Sequence, residues 1–102
     1  MELTEELIQA VMDNDVDRVN DLLAEGADPN GVLDVAMITP LHFAAQNNSL
    51  FVIPLLIEAG ADINARTSPE GATPIDIALL HGHDKVTQTL MAYQRHSDCS
   101  EQ

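Results

Sequence analysis

The segment Gly26-Ala27-Asp28-Pro29-Asn30 returns as Gly60-Ala61-Asp62-Ile63-Asn64, 34 residues later. Thr39-Pro40-Leu41 returns as Thr73-Pro74-Ile75 at the same spacing. Two independent motifs sharing one period constrain the chain more than any other feature. It must be built from a unit that stacks on copies of itself. The same offset lays Asp21–Glu25 over Leu55–Ala59 and sets Leu7 and Ala10 on Leu41 and Ala44.

Each unit reads as a pair of helices. Thr39 is a good N-cap and Pro40 a good first helical residue, because the N–H that proline lacks would be unpaired there anyway. Thr73-Pro74 repeats the signal, and Asp76, three residues after Thr73, can complete a capping box; His42 holds that place after Thr39. The first helix of the middle unit is expected over Pro40–Asn47, with a turn at Asn48-Ser49 and its counterpart at Gly82-His83. The second helix is expected from Leu50 to Glu58. Gly60, and Gly26 before it, would end the second helices in the left-handed region. The N-terminal helix is expected to start at Thr4, with Glu5 and Glu6 beside the positive end of its dipole.

The stretch TPLHFAAQNNSLFVIPLLIEAGADIN resembles the ankyrin repeat, and TPIDIALLHGHDKVTQTLMAY resembles its C-terminal capping form. ELIQAVMDNDVDRVNDLLAEGADPN resembles the N-terminal capping form, which lacks the preceding loop. The resemblance implies an all-α fold: a short right-handed solenoid of three helix pairs joined by projecting, β-hairpin-like loops. One domain is expected over 1–94, with repeats near 3–36, 37–70 and 71–94 and a polar, mobile tail over 95–102. Thr87, Gln88 and Thr89 stand where the middle repeat has Ile53, Pro54 and Leu55, and Asp21 stands where it has Leu55. Polar residues at both ends suit terminal repeats that meet water, so a complete capped array is the expectation.

Four features depart from the pattern. Nine steps separate Asn30 from Thr39, and Asn64 from Thr73, so both loops are one residue longer than the family norm. Asn48 replaces a glycine, and asparagine tolerates the left-handed region better than most residues. Pro54 falls within the second helix, where an interior proline costs ~3 kcal/mol. Either the helix starts late, or it bends or loosens its first turn there; the bend is preferred. Phe51 occupies an outer position that is usually charged, and covering that bend is its expected role.

The charge narrows the function. The chain carries 17 acidic residues against 4 Lys and Arg, a net charge of -13, and residues 1–34 alone hold ten acids and one base, Arg18. Nucleic acid and anionic membrane would be repelled, whereas a basic protein would be attracted and steered. Apolar runs stay far below the roughly 18 residues of a membrane span. The acidic start has no signal-peptide character, and a cytoplasmic location is the default. Cys99, the single cysteine, allows no internal disulfide. No cofactor is implied. His81 and His83 form a His-x-His pair beside Asp84, which falls short of the four ligands of a structural zinc site. Neither a phosphate-binding glycine loop nor an ordered nucleophile–base pair stands out, so the chain is read as a non-enzyme.

One loop is anomalous. Gly31–Ile38 should be a solvated connection, yet it carries Val32, Leu33, Val35, Met37 and Ile38, whereas Arg66–Gly71 in the next unit is ordinary and polar. By resemblance, binding uses a concave surface of loop tips and first-helix positions. Carried onto this chain, it comprises Val32, Leu33, Asp34, Val35 and Met37 on the first loop and Ser68, Pro69, Glu70 and Ala72 on the second. Met12, Asp13, Gln46, Asn47, Leu80 and His81 come from the first helices. Leu33 and Met37 are the expected apolar anchors, with Asp13, Asp34 and Glu70 as guides for basic groups. Packing over the N-terminal repeat is expected to bury about half of the loop's apolar residues. The expected function is binding of a basic protein, as an inhibitor or an immunity or antitoxin protein, with an adaptor role as the alternative. A monomer is expected, with a homodimer through the loops as the alternative.

Overall fold

The computed structural model describes residues 2–32, 35–68 and 70–100, with the side chains of residue 2 and residues 95–100 set aside. The chain forms α1 (Glu2–Met12), α2 (Val16–Ala24), α3 (Pro40–Asn47), α4 (Ile53–Glu58), α5 (Pro74–Leu80) and α6 (Asp84–Ser100), with a 3-10 turn at Leu50–Val52. No strand occurs among the described residues. The three pairs stack as a short ankyrin-type solenoid in which α1 packs on α3 and α3 on α5, while α2, α4 and α6 approach one another less closely.

The stacking follows from rows of residues 34 apart. Ala10, Ala44 and Ala78 are fully buried, and alanine lets the first helices approach closely. Leu22, Leu56 and Leu90 form the matching row on the second helices, each at most 4% exposed. Leu7, Leu41, Val52, Ile53 and Val86 complete the core. The core is aliphatic because the chain has little aromatic bulk to offer.

The local signals act as the sequence implies. Thr39 and Thr73 are N-caps with complete capping boxes, closed by His42 and Asp76 respectively. Asn14, Asn48 and Gly82, again 34 apart, all take positive φ at the turn inside each pair. Asp15 caps α2, its carboxylate accepting from the backbone N–H of Arg18 at 3.2 Å.

Several boundaries differ from expectation. α1 begins at Glu2 rather than Thr4, so Thr4 is an interior residue and not a cap. The second helix of the middle repeat does not run from Leu50. That stretch is a 3-10 turn, and the α-helix starts at Ile53 with Pro54 in its first two positions. The late start, the less favoured alternative, is therefore what accommodates the proline: its absent N–H falls among the orphan donors of a helix start. Phe51 does not cover a bend; it is 66% exposed. At the chain's other end, α6 carries helical backbone to Ser100, into the stretch set apart as a tail.

Replacing Pro54 by alanine should therefore leave stability within about 0.5 kcal/mol, measured by thermal unfolding. A gain approaching ~3 kcal/mol would instead mean that the proline interrupts a helix interior.

Adjacent repeats are tied at the loop bases by side chain–backbone bonds. Asn30 donates from Nδ2 to the Gly60 carbonyl at 3.0 Å, and its Oδ1 accepts the Asp62 backbone N–H at 2.6 Å. One repeat on, Gln94 Nε2 donates to Asn64 Oδ1 at 2.6 Å. His83 Nε2 reaches the Gln46 carbonyl at 3.1 Å, satisfying an orphan acceptor in the last turn of α3.

Candidate protein-binding surface

The first-helix positions lie in two rows. Met12, Gln46 and Leu80 form one; Asp13, Asn47 and His81, each a single residue further on, form the other. All six are exposed, with Met12 at 40% and Leu80 at 78%. The stacking of α1, α3 and α5 brings them to one end of the first-helix layer. Gln9 Nε2 donates to Asp13 Oδ1 at 3.3 Å and steadies that carboxylate. The His81 and His83 rings lie nearly parallel, 6.0 Å apart between centroids.

The first loop divides its apolar residues. Val32 and Ile38 are half-buried, while Val35 is 89% and Met37 47% exposed. Leu33, Asp34 and Pro69 lie outside the described residues. The base of the loop is pressed against α1: a Cβ added at Gly31 would sit 2.9 Å from Thr4 Oγ1. The second loop closes on itself, with the Thr67 N–H donating to the Ala72 carbonyl at 3.0 Å and Gly71 N–H to Thr67 at 2.8 Å. The Ser68 N–H then donates to the Ala36 carbonyl at 2.8 Å, joining the two loops. Glu70 is exposed at the second tip, as is Ser68, while Ala72 is half-buried.

Met37 is unusual. Its φ is +60°, whereas the position 34 residues later is Gly71, with φ +72°. A left-handed backbone costs an L-residue with a Cβ roughly 1–2 kcal/mol and costs glycine almost nothing. Residues 37 and 71 thus share one strained conformation, and the first loop fills it with a half-exposed methionine. The 34-residue register could have revealed this equivalence, but the sign of φ follows from the folded loop. A groove of about 350 Å³ lies beside it, lined by Asn30, Val32, Met37, Thr39, Asp62, Ala65 and Arg66. Sequence reasoning missed Arg66 and Asp62 here, because neither departs from an ordinary loop composition.

A larger cleft, about 450 Å³, opens along the turns inside the pairs, among Asn14, Asn48, Phe51, His83 and Lys85. It lies apart from the loop groove and shares no lining residue with it.

His42 holds the middle of the surface in place. It is 1% exposed. Its Nδ1 accepts the Thr39 backbone N–H at 3.1 Å, so the ring proton sits on Nε2, which donates to the Ala72 carbonyl at 2.8 Å. One imidazole therefore caps α3 and anchors the second loop. Burial pushes its pKa below the ordinary 6.5, a shift that the Ala72 and Ala65 carbonyls partly offset. Among the described residues, no group of three or more His, Cys, Asp or Glu is placed to hold a metal ion.

The acidic charge stays largely uncompensated. Asp13, Asp17, Asp21, Glu25 and Asp28 are all exposed, and the ion pair in this part of the molecule is Arg18–Glu6 at 3.8 Å. No described helix is long and apolar enough to cross a membrane.

Known proteins share this architecture. A family model described as ankyrin repeats (3 copies) matches residues 7–102. The chain is 32% identical over 90 residues to the ARF GTPase-activating protein Git of Drosophila melanogaster, covering 88% of this chain and 12% of that protein. It is 46% identical over 72 residues to the 2-5A-dependent ribonuclease of Mus musculus, covering 71% of this chain and 10% of that protein. Ankyrin repeat and SOCS box protein 5 of Oryctolagus cuniculus is 55% identical over 40 residues, 39% of this chain and 12% of its own length. The chain thus spans about a tenth of the length of the curated relatives it matches. Three stacked helix pairs, the 34-residue register and the match across nearly the whole chain agree: this protein belongs to the ankyrin-repeat family, whose repeats form protein-interaction modules.

Proposed function

We propose that this ankyrin stack is a non-enzymatic module that binds a basic protein through its concave surface and inhibits it, as an immunity or antitoxin protein does. The observation that carries the reading is Met37: an apolar side chain kept half-exposed at a backbone conformation that the next repeat gives to glycine. Strain held at an exposed position favours function over packing. Val35 adds a second exposed apolar group on the same loop. Met12 and Leu80 bring apolar area from the helix rows, with Asp13 and Glu70 as exposed acidic groups on the same surface. Asp34, on the same loop, belongs to this set by its sequence position. The net charge of -13 would speed encounter with a cationic target and make binding salt-sensitive. Inhibition follows from rigidity: a pre-formed surface burying ~800 Å² of its own area covers a sizeable patch of a small target. A cytoplasmic setting fits this role.

The test is capture of binding proteins from native cells at about 50 and 500 mM salt, followed by an activity assay of the captured protein with and without the module. A basic protein held at low salt, released at high salt and inhibited when bound supports the reading. A salt-insensitive partner whose activity is unchanged would favour an adaptor instead.

A further inference from the structure

The two ends of the stack are built differently. Val52 and Val86 are fully buried against the preceding repeat, and the equivalent residue of the first repeat is Arg18. Pro40 and Pro74 are buried likewise, and their equivalent is Glu6. Arg18 and Glu6 pair at 3.8 Å with side chains about half exposed (48% and 50%), so the first end is closed by an ion pair in water. The last end is not. Val11 and Ala45 are fully buried beneath the following repeat, but their equivalent, Leu79, is 61% exposed. Leu23 and Ile57 are half-buried, while their equivalent, Met91, is 45% exposed. Thr87, Gln88 and Thr89 add only neutral groups on α6.

Charge follows the same division. Residues 1–34 carry a net charge of -9, and residues 71–102, with Asp76, Asp84, Asp98 and Glu101 against Lys85 and Arg95, carry -2. A basic partner would be steered to the first repeat. The last end calls for an apolar, nearly uncharged occupant.

We propose that this occupant is a second copy of the chain, packed end to end through the last repeat with two-fold symmetry. Leu79 and Met91 of each copy meet the same patch of the other, as a self-complementary contact requires. Head-to-tail stacking would instead set Leu79 against Arg18 and Glu6 and strip water from that ion pair, which is costly. The two-fold arrangement also solves the repulsion between chains of charge -13. From α1 to α5 there are two helix-to-helix steps of about 8–10 Å. Each acidic first repeat thus stands roughly 16–20 Å behind α5, about twice the Debye length of ~8 Å at physiological salt. The contact does not depend on the concave surface, so this proposal and the partner-binding reading fail separately.

Analytical ultracentrifugation of the 102-residue chain, from about 10 μM to 1 mM in low and high salt, tests it. The expected result is a monomer–dimer equilibrium that strengthens as salt screens the acidic charge, the opposite of the salt effect on a basic partner. Leu79→Asp should weaken dimerisation at least ~10-fold with an unchanged melting temperature, since Leu79 is largely exposed. Met91→Asp provides the same readout if Leu79→Asp disturbs folding, and Arg18→Glu should leave dimerisation intact. A monomer throughout, association indifferent to both aspartate variants, or open-ended growth abolished by Arg18→Glu would overturn the proposal.

Discussion

His42→Ala should lower stability by about 2–4 kcal/mol, a fall of roughly 10–20 °C in melting temperature for a domain of this size. Three losses add. The Thr39 N–H loses its acceptor, the buried Ala72 carbonyl loses its donor, and a fully packed ring leaves a void. The effect should depend on pH with a definite sign. Because burial holds the folded imidazole below the ordinary 6.5, the unfolded chain binds more protons in the interval below that value. Stability contributed by neutral His42 is therefore complete above about pH 6.5 and is lost as pH falls through the folded value. The gap between wild type and His42→Ala should narrow on acidification, as measured by urea unfolding at several pH values. A gap that stays constant, or a variant as stable as wild type, would mean that the imidazole does not join cap and loop.

Met37→Gly should move stability and binding in opposite directions. Glycine relieves a left-handed conformation that costs roughly 1–2 kcal/mol and gives back part of that as unfolded-chain entropy. A net gain of about 0.5–1 kcal/mol is expected, read as a rise of a few degrees in melting temperature. Affinity for the basic partner should fall at least ~10-fold, as for loss of an anchoring side chain. If stability falls instead, Met37 is a packing residue of the loop. If binding is unchanged, the interface lies elsewhere, with the cleft beside Phe51 as the next place to look.

Much of this was legible in the sequence because it is local and repeated. Thr-Pro caps, left-handed Asn and Gly turns and the alanine and leucine rows depend on near neighbours, and each appears at least twice. His42 was legible as a capping residue, but its bond to Ala72 joins groups 30 residues apart and needs the folded stack. The 3-10 turn at Leu50–Val52 was not legible either. The proline limits where a helix can start without saying whether it starts late or bends. Nor did alternation foretell that Val32 turns inward while Val35 is exposed, since an irregular loop has no period. The uneven ends of the stack were half visible: Asp21 marked the first repeat as polar, but Thr87, Gln88 and Thr89 suggested an equally polar last end. Leu79 and Met91 contradict that suggestion once their exposure is known.

Hydrogen exchange of the module, alone and bound to its captured basic partner, tests the central claim most directly. The concave surface as an interface predicts new protection at residues 12–13, 35–37, 46–47 and 80–81, with the outer faces of α2 and α4 unchanged. Protection confined to α2, α4 and the turn around Phe51, with the first loop exchanging as in the free protein, would contradict it.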